Sequence, residues 1–462
     1  MHPPARTIQE LRHSGYESRS IREEMRTNLV SALRDGVALF PDLHGYQHTV
    51  IPQVENAILA GHDILLLGER GQAKSRLARG LIALLDEWMP VIAGSETHDD
   101  PYHPISAYGR TQLATHGDTT PIAWIGRSQR YGEKLATPDT SIADLIGEVD
   151  PIKIAEGRYL SNEEIMAFGL IPRTNRGIFN INELPDLGER IQVGLLNILE
   201  ERDVQIRGFT VRLPLDIMVV ASANPEDYTN RGRIITPLKD RFGSQIRTHY
   251  PATTSQELDI VDQEQATSSV PGVDVVVPKF LRDIIANISH VARNHPNVNS
   301  RSGVSVRMTI SNYEAVIANA QRRAILTGST VAVPGIVDLP AINASMMGKI
   351  EFDTWDTHDE SRVVDDIIAE SVRRVGKHLG NASWSQAMLT LVEDGRLLHI
   401  AAMDSAEEAL AALALTGDIL DGARQDAAAT HPASILAHIH LSLEYWYRSG
   451  KIGKSVEGYI GI

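Results

Sequence analysis

Cysteine is absent from all 462 residues. Its absence excludes disulfides, iron–sulfur clusters and thiolate zinc sites. No apolar run approaches the roughly 18 residues that a membrane-spanning helix requires. The first residues, MHPPARTIQELRHSGYE, contain no apolar core of the kind a secretory signal needs. Neither a low-complexity tract nor a repeat of roughly 20–50 residues is present. Basic charge is scarce as well: 44 Lys and Arg against 59 Asp and Glu leave a net charge of −15. A duplex-binding protein needs a basic face to displace counterions, so this balance counts against nucleic acid as a partner. The remainder is 42% hydrophobic and 22% charged, as expected of a globular cytoplasmic chain without a membrane segment. Its length allows about two to four domains.

Against these absences stands LLLGERGQAKSRLAR, Leu65 to Arg79. His62–Leu67 reads as a buried parallel strand, and Leu77, Leu81, Leu84 and Leu85 recur at helical spacing beyond it. A strand, a glycine loop and a helix in that order suit phosphate binding. Backbone N–H groups and the positive end of the helix face the anion, Lys74 reaches the outer phosphates, and the Ser75 hydroxyl suits Mg²⁺. The loop comprises Gly68, Glu69, Arg70, Gly71, Gln72, Ala73, Lys74 and Ser75. It departs from the common G-x-x-x-x-G-K-[ST] pattern, with Ala73 where the second pattern glycine belongs.

A second apolar run, Ile178–Ile181, ends in Asn182-Glu183. A glutamate there suits activation of water. The residue before it is ordinarily an Asp that helps hold Mg²⁺, and Asn182 offers a hard oxygen without the charge. A third run, Ile217–Ala221, leads to Asn224, which a strand between the first two would bring to the same edge. Asp240-Arg241-Phe242 follows, and by itself fits a structural salt bridge as well as it fits catalysis.

In this order the motifs resemble AAA+ ATPases of the group containing the magnesium chelatase I subunit and the MoxR proteins. The resemblance spans about Phe40–Gly243 and continues more thinly to about Gly380. Its most specific blocks are AEGRYLSNEEIMAFGLIPRTNRGIFNINELPDL and NILEERDVQIRGFTVRLPLDIMVVASANPED. The resemblance implies an α/β AAA+ P-loop domain: a parallel sheet flanked by helices, an insertion in helix 2 and a β-hairpin before the sensor. An all-helical lid and a helical C-terminal extension would follow. The corresponding ranges are 1–38 for a helical N-terminal extension, 39–250 for the nucleotide domain, 251–380 for the lid and 381–462 for the extension.

It implies ATP and Mg²⁺ as ligands, and a MoxR-like loop in which Ala before the Lys is accepted. Glu183 then matches the catalytic glutamate, Asn224 the first sensor, and Arg241 an arginine finger reaching a neighbouring subunit. Ser75 and Asn182 are the metal positions. Arg307 matches the second-sensor arginine, with Arg301 as a rival, and Leu43, His44, Gly45 and Tyr46 border the adenine. The implied assembly is a homo-oligomeric, hexameric ring working with a von Willebrand factor A domain partner on an unidentified protein client. Three alternatives stay open: a magnesium chelatase subunit inserting Mg²⁺ into protoporphyrin IX, an ATP-binding scaffold of low turnover, and a helicase-like motor. The acidic charge disfavours the last.

Other stretches are less decisive. Ile92–Lys134 reads as an insertion, followed at Leu135–Asp150 by the strand that precedes helix 2. Within the insertion, His98, Asp99, Asp100 and His103 have metal-ligand chemistry, but such groups in a polar loop are expected to be solvated. Asp203–Ile206 and Thr210–Leu213 read as a hairpin around Arg207-Gly208-Phe209, with Arg207 and Phe209 expected at the client. HIHLSLEYWYRSGKI offers an aromatic face, with core packing the expected use.

Overall fold

Ile64–Leu67, the apolar run ahead of the glycine loop, forms strand β1 with all four residues buried. The computed structural model describes residues 4–150, 166–205, 212–224, 232–266, 270–299, 303–353, 357–401, 404–428 and 430–462. They divide into two compact units, Met1–His249 and Tyr250–Ile462.

In the first unit β1 joins β2 (Tyr131–Leu135), β3 (Gly177–Asn182), β4 (Ile217–Ala223) and β5 (Ser244–Arg247) in one sheet ordered β5-β1-β4-β3-β2. Every ladder is parallel. A parallel sheet has both faces covered, so its inner strands carry unbroken apolar runs. Alternate residues divide between two cores. Ile64, Leu66, Ile178, Met218, Val220 and Ile246 pack with helices α1 (Ile21–Arg34), α2 (Val50–Ala60) and α3 (Lys74–Gly80). Leu65, Leu67, Phe179, Ile181, Val219 and Ala221 face the other way, toward α4 (Glu189–Glu200) and Leu238. This is the α/β arrangement, with flanking helices, that the resemblance implied.

The structure moves one boundary. The main-sheet strand before the second helical segment is β2, at the end of the stretch assigned to an insertion. Leu135–Asp150 contains no further main-sheet strand, only a short helix (Ile142–Leu145) and Gly147–Val149 paired antiparallel with Met166–Phe168. The physical reason is position in the sheet. β2 is an edge strand with no fully buried residue, so its YGEKL sequence tolerates a glycine and two charges and lacks the apolar signal of an inner strand.

The inserted segment itself is a two-stranded ribbon, Trp88–Ile92 against Ile122–Gly126, carrying the helix Ala107–His116. Its acids are not solvated as expected. Asp99 is fully buried, accepting from the N–H groups of Ile105 (2.6 Å) and Ser106 (2.8 Å) and from Ser95 Oγ (2.7 Å). Asp100 pairs with Arg176 at 3.0 Å. Among the described residues no group of three His, Asp or Glu is arranged to hold a metal. The loop buries its carboxylates because it has N–H groups and a guanidinium with which to satisfy them.

The N-terminal segment is integral to the first unit. A capping box between Ser20 and Glu23 starts α1, and Glu24 on that helix makes a buried, bidentate pair with Arg130 at 2.6 Å. Arg130 Nε also donates to the Arg176 carbonyl at 2.9 Å, which ties the entrances of β2 and β3 together. The expected hairpin is described at its base, where Val204 pairs with Leu213. Its tip, with Arg207, Gly208 and Phe209, lies outside the described residues.

The second unit is built mainly of helices around one apolar cluster that includes residues from Val261 to Tyr459. Helix α5 (Pro432–Arg448) holds the aromatic stretch, and Ile439, Leu441, Leu443 and Trp446 are buried in it. Core packing is therefore its use. Glu444 is buried beside them, bound by Lys454 Nζ (2.7 Å), Tyr459 Oη (2.6 Å) and Arg448 Nε (2.8 Å). Among the described residues no helix is long and apolar enough to cross a membrane.

Burial alone would raise the Glu444 pKa, but the Lys454 charge and the hydrogen bonds from Lys454, Tyr459 and Arg448 outweigh it. They hold the carboxyl down to about 2 from an ordinary 4.5. A depressed carboxylate pKa stabilises the fold above the unfolded value and loses that contribution as pH falls through the folded one. Glu444→Gln is therefore expected to melt several degrees below wild type at neutral pH. The gap should close between pH 4.5 and about 2. Melting curves of both proteins across that range check it, and a gap independent of pH would contradict the ion-pair account.

Candidate active site

In a parallel α/β sheet the strands end together, and their C-terminal edge is where ligands bind. Here the edge carries Gly68 after β1, Asn182-Glu183 at the end of β3, Asn224 after β4 and Thr248 after β5. The Gly68 N–H bonds to Ala223 O at 3.1 Å and Thr248 N–H to Leu67 O at 2.8 Å, so the loop leaves the sheet still hydrogen-bonded on both sides. A Cβ on Gly68 would collide with Thr248 Oγ1 and Gln72 Oε1 as they stand. Only glycine fits. Gln72 turns its side chain back into the loop, accepting from Glu69 N–H (3.0 Å) and Thr248 Oγ1 (2.7 Å).

Ala73 has φ 54°, in the left-handed region. That explains the glycine in the common pattern, since an L-residue there costs roughly 1–2 kcal/mol. Alanine has the smallest side chain that could bear it. Lys74 follows, with 8% of its surface exposed. Its ammonium donates to Gly68 O, to Glu69 O at 2.9 Å and to Asn224 Oδ1 at 2.6 Å. Asn224 in turn donates from Nδ2 to Glu183 Oε2 at 3.0 Å. Glu183 has φ 55°, also left-handed, so β3 stops sharply there. Lys74, Asn224 and Glu183, read from three separate motifs, are thus one hydrogen-bonded line. Ser75 is exposed beside Lys74 at the start of α3.

Asn182 is embedded in polar groups that the sequence did not single out. Its Oδ1 accepts from Ser222 Oγ at 3.3 Å and from Asn180 Nδ2 at 3.2 Å, while its Nδ2 donates to Glu133 Oε1 on β2. The other Glu133 oxygen takes Arg79 Nε at 3.0 Å. Tyr131, two residues before Glu133, has its pKa pushed up to about 12, first by burial and then by the Glu133 charge.

The remaining expected residues divide. Leu43 and Tyr46 are buried in the α1–α3 core, with His44 and Gly45 only partly covered. The Tyr46 hydroxyl shares its one proton between Gln72 O (2.8 Å) and His249 O (2.9 Å), and burial raises its pKa to about 12. It braces the glycine loop against the end of β5. Arg241 is held within its own chain by Glu200 (Nε to Oε2, 2.7 Å) and Pro237 O (2.8 Å). Arg307 is exposed at the start of a helix in the second unit, and Arg301 lies outside the described residues. Thr248, Ser222, Asn180, Glu133 and Arg79 were missed because each acts through a neighbour on another strand or helix.

Residues 120–242 match the family model of the AAA domain, dynein-related subfamily. The magnesium-chelatase subunit ChlI of Anabaena variabilis is 28% identical over 214 residues, 45% of this chain and 59% of that one. The magnesium-chelatase 38 kDa subunit of Acidiphilium rubrum is 28% identical over 217 residues, covering 44% of this chain and 56% of that one. The matched part therefore spans little more than half the length of these relatives. Among solved structures, the BchI–BchD complex of magnesium chelatase is 21% identical, covers 70% of this chain and 98% of that chain, and superposes with a TM-score of 0.36.

The Tyr46 brace is directly testable. Tyr46→Phe removes the one hydroxyl proton that the Gln72 and His249 carbonyls share, leaving the buried Gln72 carbonyl short of a donor. Such groups cost on the order of 1–3 kcal/mol. Urea unfolding should show a loss of that size, whereas a change within experimental error would mean that the hydroxyl does not brace the loop.

Proposed function

Because the chain carries an AAA+ ATPase domain related to the magnesium chelatase I subunit, we propose that it binds ATP with Mg²⁺ and hydrolyses it to ADP and phosphate, using the cycle to remodel a protein client. The observation that supports this most is the line Lys74–Asn224–Glu183 at the edge of the sheet. The donors fit a triphosphate: a buried ammonium already bonded to two loop carbonyls, and a tight turn at Gly68. They also fit Mg²⁺, a hard cation that takes oxygen ligands, through Ser75 and Asn182. The ion supplies charge neutralisation at the terminal phosphates.

Each residue then has a task. Lys74 exchanges its loop carbonyls for phosphate oxygens. Asn224, placed between Lys74 and Glu183, reports the state of one to the other. Glu183 accepts a proton from the attacking water as the phosphorus–oxygen bond forms, and ADP leaves with the electron pair of the broken bond. Arg241 acts on a neighbour's nucleotide in a hexameric ring. Its own-chain pair with Glu200 is partly exposed, and exposed pairs contribute little, so assembly can release it. Arg307 is the second sensor, and His44 and Gly45 border the base. A cytoplasmic ring with a von Willebrand factor A domain partner completes the reading. The 28% identity to chelatase subunits favours Mg²⁺ insertion into protoporphyrin IX as the second reading, separable by assaying that insertion in the presence of the other chelatase subunits.

Glu183→Gln should keep ATP affinity and lose hydrolysis by roughly 10²–10⁴ in rate, while Lys74→Ala should lose affinity itself. Equilibrium binding and phosphate release measure the two separately, and normal turnover in Glu183→Gln would sink the proposal.

Mixing inactive Arg241→Ala and Glu183→Gln subunits should restore part of the activity. Mixed rings contain interfaces where an intact Glu183 meets a neighbour's intact Arg241, and removing such an arginine costs roughly 10³–10⁵. If mixed rings form and phosphate release stays at background, Arg241 does not act in trans.

A further inference from the structure

Asn182 stands where related sequences place the metal-binding carboxylate. The side chains around it dictate which way its amide faces. An ionised carboxylate is an acceptor only, so Glu133 takes the Asn182 N–H group and cannot face its oxygen. From the opposite neighbouring strand Ser222 Oγ donates to Asn182 Oδ1 at 3.3 Å, and Asn180 Nδ2, two residues back on β3, donates to it at 3.2 Å. Ser222 is on β4, paired in register with Leu66 of β1, just before the phosphate loop. Asn182 Oδ1 therefore faces the phosphate-loop side of the sheet, and its nitrogen faces the edge strand. The placement of Glu133 is set by the backbone: it lies opposite Asn180 in the parallel β2–β3 ladder, on the same face as Asn182. Its second oxygen is occupied by Arg79, on the helix that follows the loop.

We propose that Glu133 is a positioning residue for the metal site: it locks the Asn182 amide with its oxygen toward the nucleotide and polarises that amide with a full negative charge. The charge missing from residue 182 has moved one strand outward. Hydrogen bonds in such a chain strengthen one another in a medium of low dielectric, so the amide oxygen becomes a better ligand for the ion or for one of its waters. This assignment rests on the ATP–Mg²⁺ reading above.

The test is a Mg²⁺ titration of binding of a fluorescent N-methylanthraniloyl ATP, with wild type, Glu133→Gln, Asn182→Asp and the double variant. Residues that orient a metal ligand typically account for about 10–100-fold in metal affinity. Glu133→Gln should therefore raise the Mg²⁺ midpoint by about tenfold or more and leave nucleotide affinity in EDTA unchanged. A glutamine can present N–H to Asn182 and let the amide turn over. In the Asn182→Asp background the same change should instead lower the midpoint. A carboxylate at that position needs no orienting, and Glu133 beside it is a repelling like charge.

That reversal of sign is what a merely structural Glu133 would not produce. Equal shifts in both backgrounds, or no shift in either, overturn the assignment while leaving the ATPase reading intact. Arg79→Gln removes the ion pair but keeps Glu133, so it should move the midpoint little; a shift as large as that of Glu133→Gln would assign the effect to the pair and overturn the proposal. Wild-type protein that binds the nucleotide without any dependence on Mg²⁺ would overturn both readings. Melting curves of each variant exclude loss of fold as the cause of any shift.

Discussion

The parallel register of five strands is the constraint on which the site depends. Neighbouring parallel strands lie about 4.8 Å apart, and the ladders align Leu67 with Ala223, Ala221 with Ile181, and Asn180 with Glu133. Once those pairs are set, the residues just beyond them must share one edge. Gly68, Asn182, Glu183 and Asn224 come from positions far apart in the chain and become neighbours because the strands stop together. A slip of one residue in any ladder would turn Asn182 or Ser222 into the opposite core. The polar pair would then enter the apolar core now filled by Ile181, Ala221 and Ala223, which opposes the slip.

Burying this sheet on both faces requires that charges reaching it be satisfied. The first unit does so in pairs. Glu24 and Arg130 join α1 to the entrance of β2, and Asp63 receives Arg22 at 3.3 Å and the Val219 N–H at 2.8 Å, both near the strand entrances. At the exits, the Lys74 ammonium donates to the Glu69 carbonyl and the Asn224 amide oxygen.

The backbone also carries a cost at these exits, as it does at other left-handed residues such as Arg176 at the entrance of β3. Ala73, just ahead of α3, and Glu183, just beyond β3, are both left-handed non-glycine residues. Each such residue is unfavourable by itself and persists where the surroundings over-determine it. Here the surroundings are the Lys74–Asn224–Glu183 line and the Gln72–Thr248 bond that holds the loop.

The sequence by itself determined the strand–loop–helix order, the inner strands and the three residues of the central line. Each of those carries a local signal: an apolar run, a glycine turn, or a polar residue at the end of a buried strand. It also pointed to the core role of the HIHLSLEYW helix. It misplaced the edge strand β2, because an edge strand half open to solvent needs no apolar run. It read Asp99 and Asp100 as solvated, because a carboxylate's partners can lie anywhere in the chain. Only the tertiary structure decided that Tyr46 braces the loop, that Arg241 is held by Glu200, and that Glu133 lies beside Asn182. Those contacts join residues 26 to 49 positions apart in the chain, and pairing across strands and helices leaves no periodicity in the sequence from which they could be read.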